Sequence, residues 1–243
     1  MYLAVGGGGH ESLVEWCAMG NKVNVLVAFP YWRQVEKLLP RLNIGKLCID
    51  SGAFSVYNSG KTVDLESFID FCRDHPADDI FGLDVVADAS GTRRNLGRMW
   101  SAGIPAIPVW RIGESWEQLE WCTSNASKIA FARTGSSEQL ASSGWTTEQW
   151  LRQAMARVWP RKVHGLAMAS KQMLGLLPWH SVDATSWVFA PMATGNWAGF
   201  TGAQVRLKAR GVRDVRIEIA EHAKRERWAA QQWAAQMREL EAT

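Results

Sequence analysis

An α/β protein built as a single (β/α)8 barrel is predicted from three observations. Eight short apolar runs rich in β-branched residues recur along the chain. Several are continuously apolar rather than alternating, which suits parallel strands covered on both faces. Amphipathic stretches lie between them, and the 243 residues match the roughly 250 typical of such a barrel. A doubly wound open sheet is the alternative that shares this alternation.

The expected strands are Tyr2–Val5, Val23–Phe29, Lys46–Ile49, Ile80–Val85, Ile104–Trp110, Lys128–Ala132, Lys162–Ala167 and Ser181–Ala184. Leu65–Arg73 and Arg93–Ala102 carry apolar residues at helical spacing. Ser115-Trp-Glu-Gln118 and Thr146-Thr-Glu-Gln149 have capping-box form, a hydroxyl followed three residues later by Gln. The barrel is expected to fill residues 1–205. Residues 206–243 form a C-terminal helical segment packed on it, basic at first and rich in Ala and Gln from Trp228 to Leu240. Between Arg206 and Arg227 eight basic residues face four acidic ones. Such a flank is either a solvated helix face or a patch for nucleic-acid phosphates, with Arg206, Lys208, Arg210 and Arg213 as the candidate contacts.

Composition excludes several classes. The formal charge of +3 is too small to mark a nucleic-acid binder by itself. No apolar run is long enough for a transmembrane helix. The first residues lack a basic segment followed by a long apolar one, so an intracellular, cytoplasmic protein is expected. Cys17, Cys48, Cys72 and Cys122 form no CxxC pair and read as buried thiols. The five histidines make no HxH or HxxxH spacing and no GxSxG occurs, so no metal, other cofactor or serine nucleophile is expected. Fourteen tryptophans are in excess and read chiefly as packing.

In a parallel barrel, the working residues sit at the C-terminal ends of the strands. Three apolar runs end in or carry a carboxylate there: Asp50, Asp84 and Asp183. Any one of them could be a helix cap or turn residue. Three at corresponding strand ends are aimed by the fold at one pocket. Asp88 reads instead as the cap of the helix after strand four. Paired carboxylates in differing environments serve chemistry at a sugar carbon, one attacking or stabilising the anomeric centre while the other moves protons. After Asp50, the small Ser51, Gly52 and Ala53 would let a flat ligand approach the backbone, and Phe54 offers a stacking face. The alternative is an ordinary turn with a core Phe. Gly6-Gly-Gly-Gly-His-Glu11 lacks the pattern of a P-loop and reads as a loop, with phosphate contact as the alternative. His164, before Gly165-Leu166-Ala167 at the end of strand seven, is either a core residue or a substrate contact.

Asp50-Ser-Gly-Ala-Phe-Ser55 resembles the Asp-Ser-Gly-Gly-aromatic motif of tRNA-guanine transglycosylases. It is more similar still to the form in their phage and bacterial relatives, the 7-deazaguanine DNA transglycosylases. Leu83-Asp84, Gly165-Leu166-Ala167 and Val182-Asp183-Ala-Thr-Ser-Trp187 follow in matching order, so the resemblance runs over roughly residues 2 to 200. It implies a glycosyltransferase that exchanges guanine in DNA for a free 7-deazaguanine base, such as 7-cyano-7-deazaguanine, through a covalent aspartyl-glycosyl intermediate. Asp183 would be the nucleophile and Asp50 the general acid/base. Asp84 would read the guanine-like edge, helped by Ser51, Gly165 and Leu166, with Phe54 stacking on the base and His164 affecting selectivity. A duplex target must first be flipped out. For a phage-encoded chain the location would be the host cytoplasm. The CxCxxC…His zinc subdomain of the tRNA enzymes has no counterpart in this sequence, which favours DNA over tRNA. The alternatives are a tRNA-directed version, a carboxylate-pair glycosidase using water, and a non-catalytic barrel that binds nucleic acid or a partner protein.

Overall fold

The structure, a computed structural model, describes residues 1–6, 10–57, 60–86, 88–132, 142–184, 197–198, 204–205 and 215–241. The strands are β1 Tyr2–Val5, β2 Val23–Ala28, β3 Ile44–Asp50, β4 Asp79–Ile80, β5 Val109–Arg111, β6 Lys128–Ala132, β7 Lys162–Leu166 and β8 Ser181–Ala184. They alternate with helices α1 His10–Ala18, α2 Trp32–Val35, α3 Ala53–Tyr57, α4 Leu65–Asp74, α5 Ala89–Ser101, α6 Trp116–Asn125, α7 Thr147–Val158 and α8 Lys171–Leu176. A small antiparallel pair, β9 Trp197–Ala198 with β10 Gln204–Val205, precedes the last helices, α9 Val215–Gln232 and α10 Ala234–Glu241.

The eight strands form one parallel sheet in the order β4-β3-β2-β1-β8-β7-β6-β5. Its two ends meet where Phe81 pairs with Ile107. The Gly82 N–H donates to the Ile107 carbonyl at 2.9 Å and the Ile107 N–H to the Ile80 carbonyl at 2.8 Å. The sheet is therefore a (β/α)8 barrel. Its weakest seam lies between β4 and β5, both shorter than their apolar runs. In the fifth run Pro105 and Pro108 lack the N–H a ladder needs. In the fourth, regular pairing stops before Leu83, so Asp84 stands on irregular backbone beyond the strand.

Side chains alternate between the barrel interior and the helical layer, as the two-residue period of a strand requires. Tyr2, Leu26, Cys48, Phe81, Ile107, Val109, Ala130 and Ala132 form the inner cluster. Neighbours one residue away, such as Leu3, Val25 and Val27, or Ile129, Phe131 and Val182, pack under the helices. Large groups fill the interior at the N-terminal end of the strands. Toward the C-terminal end the inward positions hold Ala4, Ala28 and Ala132, and these small side chains leave space.

Local capping follows the sequence. Thr146 and Gln149 form a complete capping box. Ser115 caps α6, but its Gln118 turns instead to Arg93. Asp88 caps α5 through the Gly91 N–H. The four cysteines are buried and free, and Trp110, Trp116 and Trp150 stack in one aromatic cluster. Helix α9 begins at Val215, within the helical segment expected over residues 206–243. Its charged residues are good helix formers, and buried Ile219 and His222 seat it on the barrel. The Trp233 indole N–H adds a bond to the Leu174 carbonyl at 2.8 Å. Arg206, Lys208, Arg210 and Arg213 lie outside the described residues. Among the described residues no helix is long and apolar enough to cross a membrane.

Candidate functional site

The space left by the alanines is a cavity of about 520 Å³ at the C-terminal end of the barrel. Asp50, Asp84 and Asp183 all line it, from β3, the segment after β4, and β8. Phe54, Leu166, Tyr31 and Arg111 share the lining, and the Phe54 ring is half exposed at 47%. Among the described residues the wall is largely aliphatic and aromatic with four charged groups, a composition typical of small-molecule sites.

Asp50 ends β3 and opens a tight turn. The Gly52 N–H donates to Asp50 Oδ2 at 3.2 Å. Gly52 has φ of +71°, and a Cβ there would stand 2.5 Å from Pro30 Cδ, so the turn requires glycine. Gly52 thus serves the turn by abutting Pro30, not by clearing a path for ligand. Burial, then the negative charges of Asp84 and Asp183, push the Asp50 carboxyl up to about 7, against the Gly52 bond and Arg111. That is the range in which a carboxyl both gives and takes a proton near neutrality.

Asp84 is neutralised by Arg111, the last residue of β5. Nε donates to Asp84 Oδ2 at 2.7 Å, and Nη2 reaches the same oxygen. Both side chains are buried, which demands such pairing. Glu114 accepts the Arg111 backbone N–H at 3.1 Å. Burial pushes the Glu114 carboxyl up to about 7. The Arg111 guanidinium also lies 5.5 Å from the Phe54 ring centroid, a cation–π distance.

Asp183 is held from behind. The Ala167 N–H donates to Oδ1 at 2.8 Å, and His164 Nε2 lies 3.2 Å from the same oxygen. Ala167 makes its bond from a left-handed backbone, φ 56°, a strained state for a residue with a Cβ. His164 is fully buried against Phe81 and Tyr2. Burial holds its pKa below the ordinary histidine value, against the pull of Asp183. A neutral ring beside a carboxylate carries its proton on Nε2. Nδ1 is then the acceptor for the Ser181 hydroxyl, 2.8 Å away.

The structure therefore gathers Asp50, Asp84, Asp183, Phe54 and Leu166 around one cavity. The expected base contacts by Ser51, Gly165 and His164 are not met in this geometry, since none of the three lines it. Ser51 is buried, with its hydroxyl accepting from the Ala53 N–H. Gly165 takes the outward position between His164 and Leu166, where a Cβ would press on Trp179 and Met168 at 3.0 Å. His164 lies beneath Asp183. Arg111 was not signalled, because the fifth run reads as ending at Trp110; as a polar residue just past a strand end it fits the rule that marked the carboxylates. Among the described residues no group of His, Cys, Asp and Glu is arranged to hold a metal ion.

No model of a known protein family matches the chain, and no characterised protein matches it by sequence. In structure it is similar to 3-hexulose-6-phosphate synthase from Salmonella typhimurium, with a TM-score of 0.51 and 12% identity over 94% of this chain and 98% of the other. At that identity the likeness is one of fold. Fold and site together define a (β/α)8 barrel in which, among the described residues, three carboxylates and one arginine surround a C-terminal cavity.

Proposed function

We propose that the chain is a base-exchange glycosyltransferase that replaces guanine in DNA with a free 7-deazaguanine base. The observation that carries this reading is the convergence of Asp50, Asp84 and Asp183 on one cavity. In the proposed reaction an Asp183 oxygen attacks C1′ of the target nucleotide. The C1′–Oδ bond forms, the C1′–N9 bond breaks, and Asp50 gives its proton to the departing N9. Guanine leaves and the second base enters. Asp50 removes the proton from N9 of that base, which attacks C1′ and displaces Asp183. The proton balance closes, and Asp50 ends protonated as it began. The His164 and Ala167 contacts fall on Oδ1 of Asp183, so the second oxygen is the one that attacks. DNA as the substrate rests on the sequence resemblance and on the basic residues from Arg206 to Arg213.

The test is to incubate the protein with guanine-containing DNA, single- and double-stranded, and a labelled free 7-deazaguanine base, then digest and analyse the nucleosides. Incorporation with release of guanine is expected. Unchanged nucleosides in both DNA forms across several 7-substituents would overturn the reading. Label entering tRNA alone would move the substrate to RNA, and base release without incorporation would make water the acceptor.

A further inference from the structure

We propose that Arg111 is a specificity-determining residue, reading the 6-oxo oxygen of a purine-like lactam jointly with Asp84. This inference rests on the base-exchange reading for its substrate class. Both contacts from Arg111 to Asp84 fall on Oδ2, from Nε and Nη2. Nη2 carries a second N–H besides the one that meets Oδ2, and neither contact occupies Asp84 Oδ1. The pair lines the cavity wall, and the Arg111 guanidinium lies over the ring of Phe54, which also lines it. It therefore offers a neighbouring acceptor and donor: a carboxylate oxygen beside a guanidinium N–H. A six-membered lactam presents the complement, a ring N–H next to a C=O. A 6-amino base presents a bare ring nitrogen next to an NH2, placing its lone pair against the carboxylate and its N–H against a cation. Buried polar groups left unpaired in that way give strong discrimination.

Placement supports the same role. Among the described residues of the lining, Arg111 is the positive side chain, set among three carboxylates. Its charge lets Asp84 act as an acceptor without adding a third uncompensated negative charge to the cavity. Its backbone N–H is tied to Glu114, so the guanidinium springs from a fixed turn. Arginine suits this position better than lysine, because one planar fork can hold Asp84 with two nitrogens and still present a further N–H to ligand.

The test measures binding of two free bases by calorimetry, 7-deazaguanine and its 6-amino counterpart, 2,6-diamino-7-deazapurine. The wild-type protein is expected to favour the lactam by about tenfold to a hundredfold. Asp84→Asn, which keeps Arg111, should retain a preference. Asp84→Asn/Arg111→Met, which removes both partners of the buried ion pair, should lose it. Circular dichroism checks that both variants fold; if neither does, the wild-type comparison still decides. Equal binding of the two bases by wild type, binding of neither, or a preference surviving in the folded double variant overturns the inference. Transfer of both bases into DNA with equal efficiency would overturn it while leaving base exchange intact. Selective binding without any transfer would do the reverse.

Discussion

His164 Nε2 stands 3.2 Å from Asp183 Oδ1, and only the carboxylate of the pair reaches the cavity. The histidine acts on that carboxylate from the barrel interior, where Ser181 fixes its other nitrogen. In the proposed exchange it is a positioning residue, setting which oxygen of Asp183 is held and which is presented.

Removing that support should affect the chemical step more than base binding. His164→Ala deletes a hydrogen bond to a carboxylate, an interaction of about 1.5–3 kcal/mol. The expected loss is about tenfold to a hundredfold in kcat for base exchange, with KM for the free base within about threefold. His164→Gln keeps an N–H donor at similar reach and should recover part of kcat. If KM rises while kcat holds, His164 contacts substrate through a rearranged pocket and the positioning role is wrong.

Asp50 ties activity and stability to pH. Its carboxyl titrates near 7, raised by burial and by Asp84 and Asp183. The proposed first step needs it protonated, so exchange should fall on an alkaline limb beginning near 7. Asp84→Asn removes one of the charges that raise it, so that limb should move to lower pH. For stability the sign is opposite to that of a salt-bridged aspartate. Below about 4 both folded and unfolded chains hold the proton; between about 4 and 7 only the unfolded chain releases it, so stability is lost as pH rises through this window. Asp50→Asn should therefore stabilise the protein relative to wild type by a few kcal/mol at pH 8 and by much less at pH 4, at about 1.4 kcal/mol per pH unit. Urea unfolding at the two pH values measures it. An equal effect at both would show that Asp50 titrates normally.

The barrel and three of the four charged cavity residues among those described were legible because they follow from local rules. Asp50 and Asp183 end or interrupt short apolar runs whose inward positions alternate, and the fold sends such positions to one end of the barrel. Asp84 was legible although regular pairing stops before it, since the apolar run carries on. What escaped was tertiary. Arg111 follows Trp110 and reads locally as an ordinary charged residue after a strand; its meaning comes from Asp84, 27 positions earlier in the chain. The contrast between His164 and Gly165 is the alternation of one strand, and its phase is set by contacts with Phe81 on one side and Trp179 on the other. Resemblance placed both beside the base without that phase.

Gly52 tests the turn that delivers Asp50. With φ at +71° and Pro30 Cδ only 2.5 Å from the site of a Cβ, Gly52→Ala combines backbone strain with overpacking. A loss of about 1–3 kcal/mol is expected from the packing alone. The denaturant midpoint should fall and base exchange should weaken with it, because the Gly52 N–H holds Asp50 Oδ2. Gly97, where a Cβ meets nothing within 4 Å, is the control in α5. Gly97→Ala should be neutral or stabilising by up to about 1 kcal/mol. If both substitutions are tolerated equally, the turn is not the constraint that its geometry indicates.

Asp183→Asn separates nucleophile from scaffold. Asparagine keeps a carbonyl oxygen to accept from Ala167 and His164, so the fold and the affinity for free base should hold within about threefold. It has no anionic oxygen to form the ester with C1′. Quenching wild type with guanine-containing DNA in the absence of a second base should trap a protein–DNA adduct on a denaturing gel. Asp183→Asn should give none, and exchange should fall by about 10³-fold or more. Asp50→Asn makes the complementary case: the nucleophile is intact but the departing base receives no proton, so the adduct should form slowly rather than vanish. An adduct that persists in Asp183→Asn and disappears in Asp84→Asn would transfer the attacking role to Asp84. Arg111 opposes that assignment, because its fork already holds Oδ2 of Asp84 and draws its charge away from the sugar.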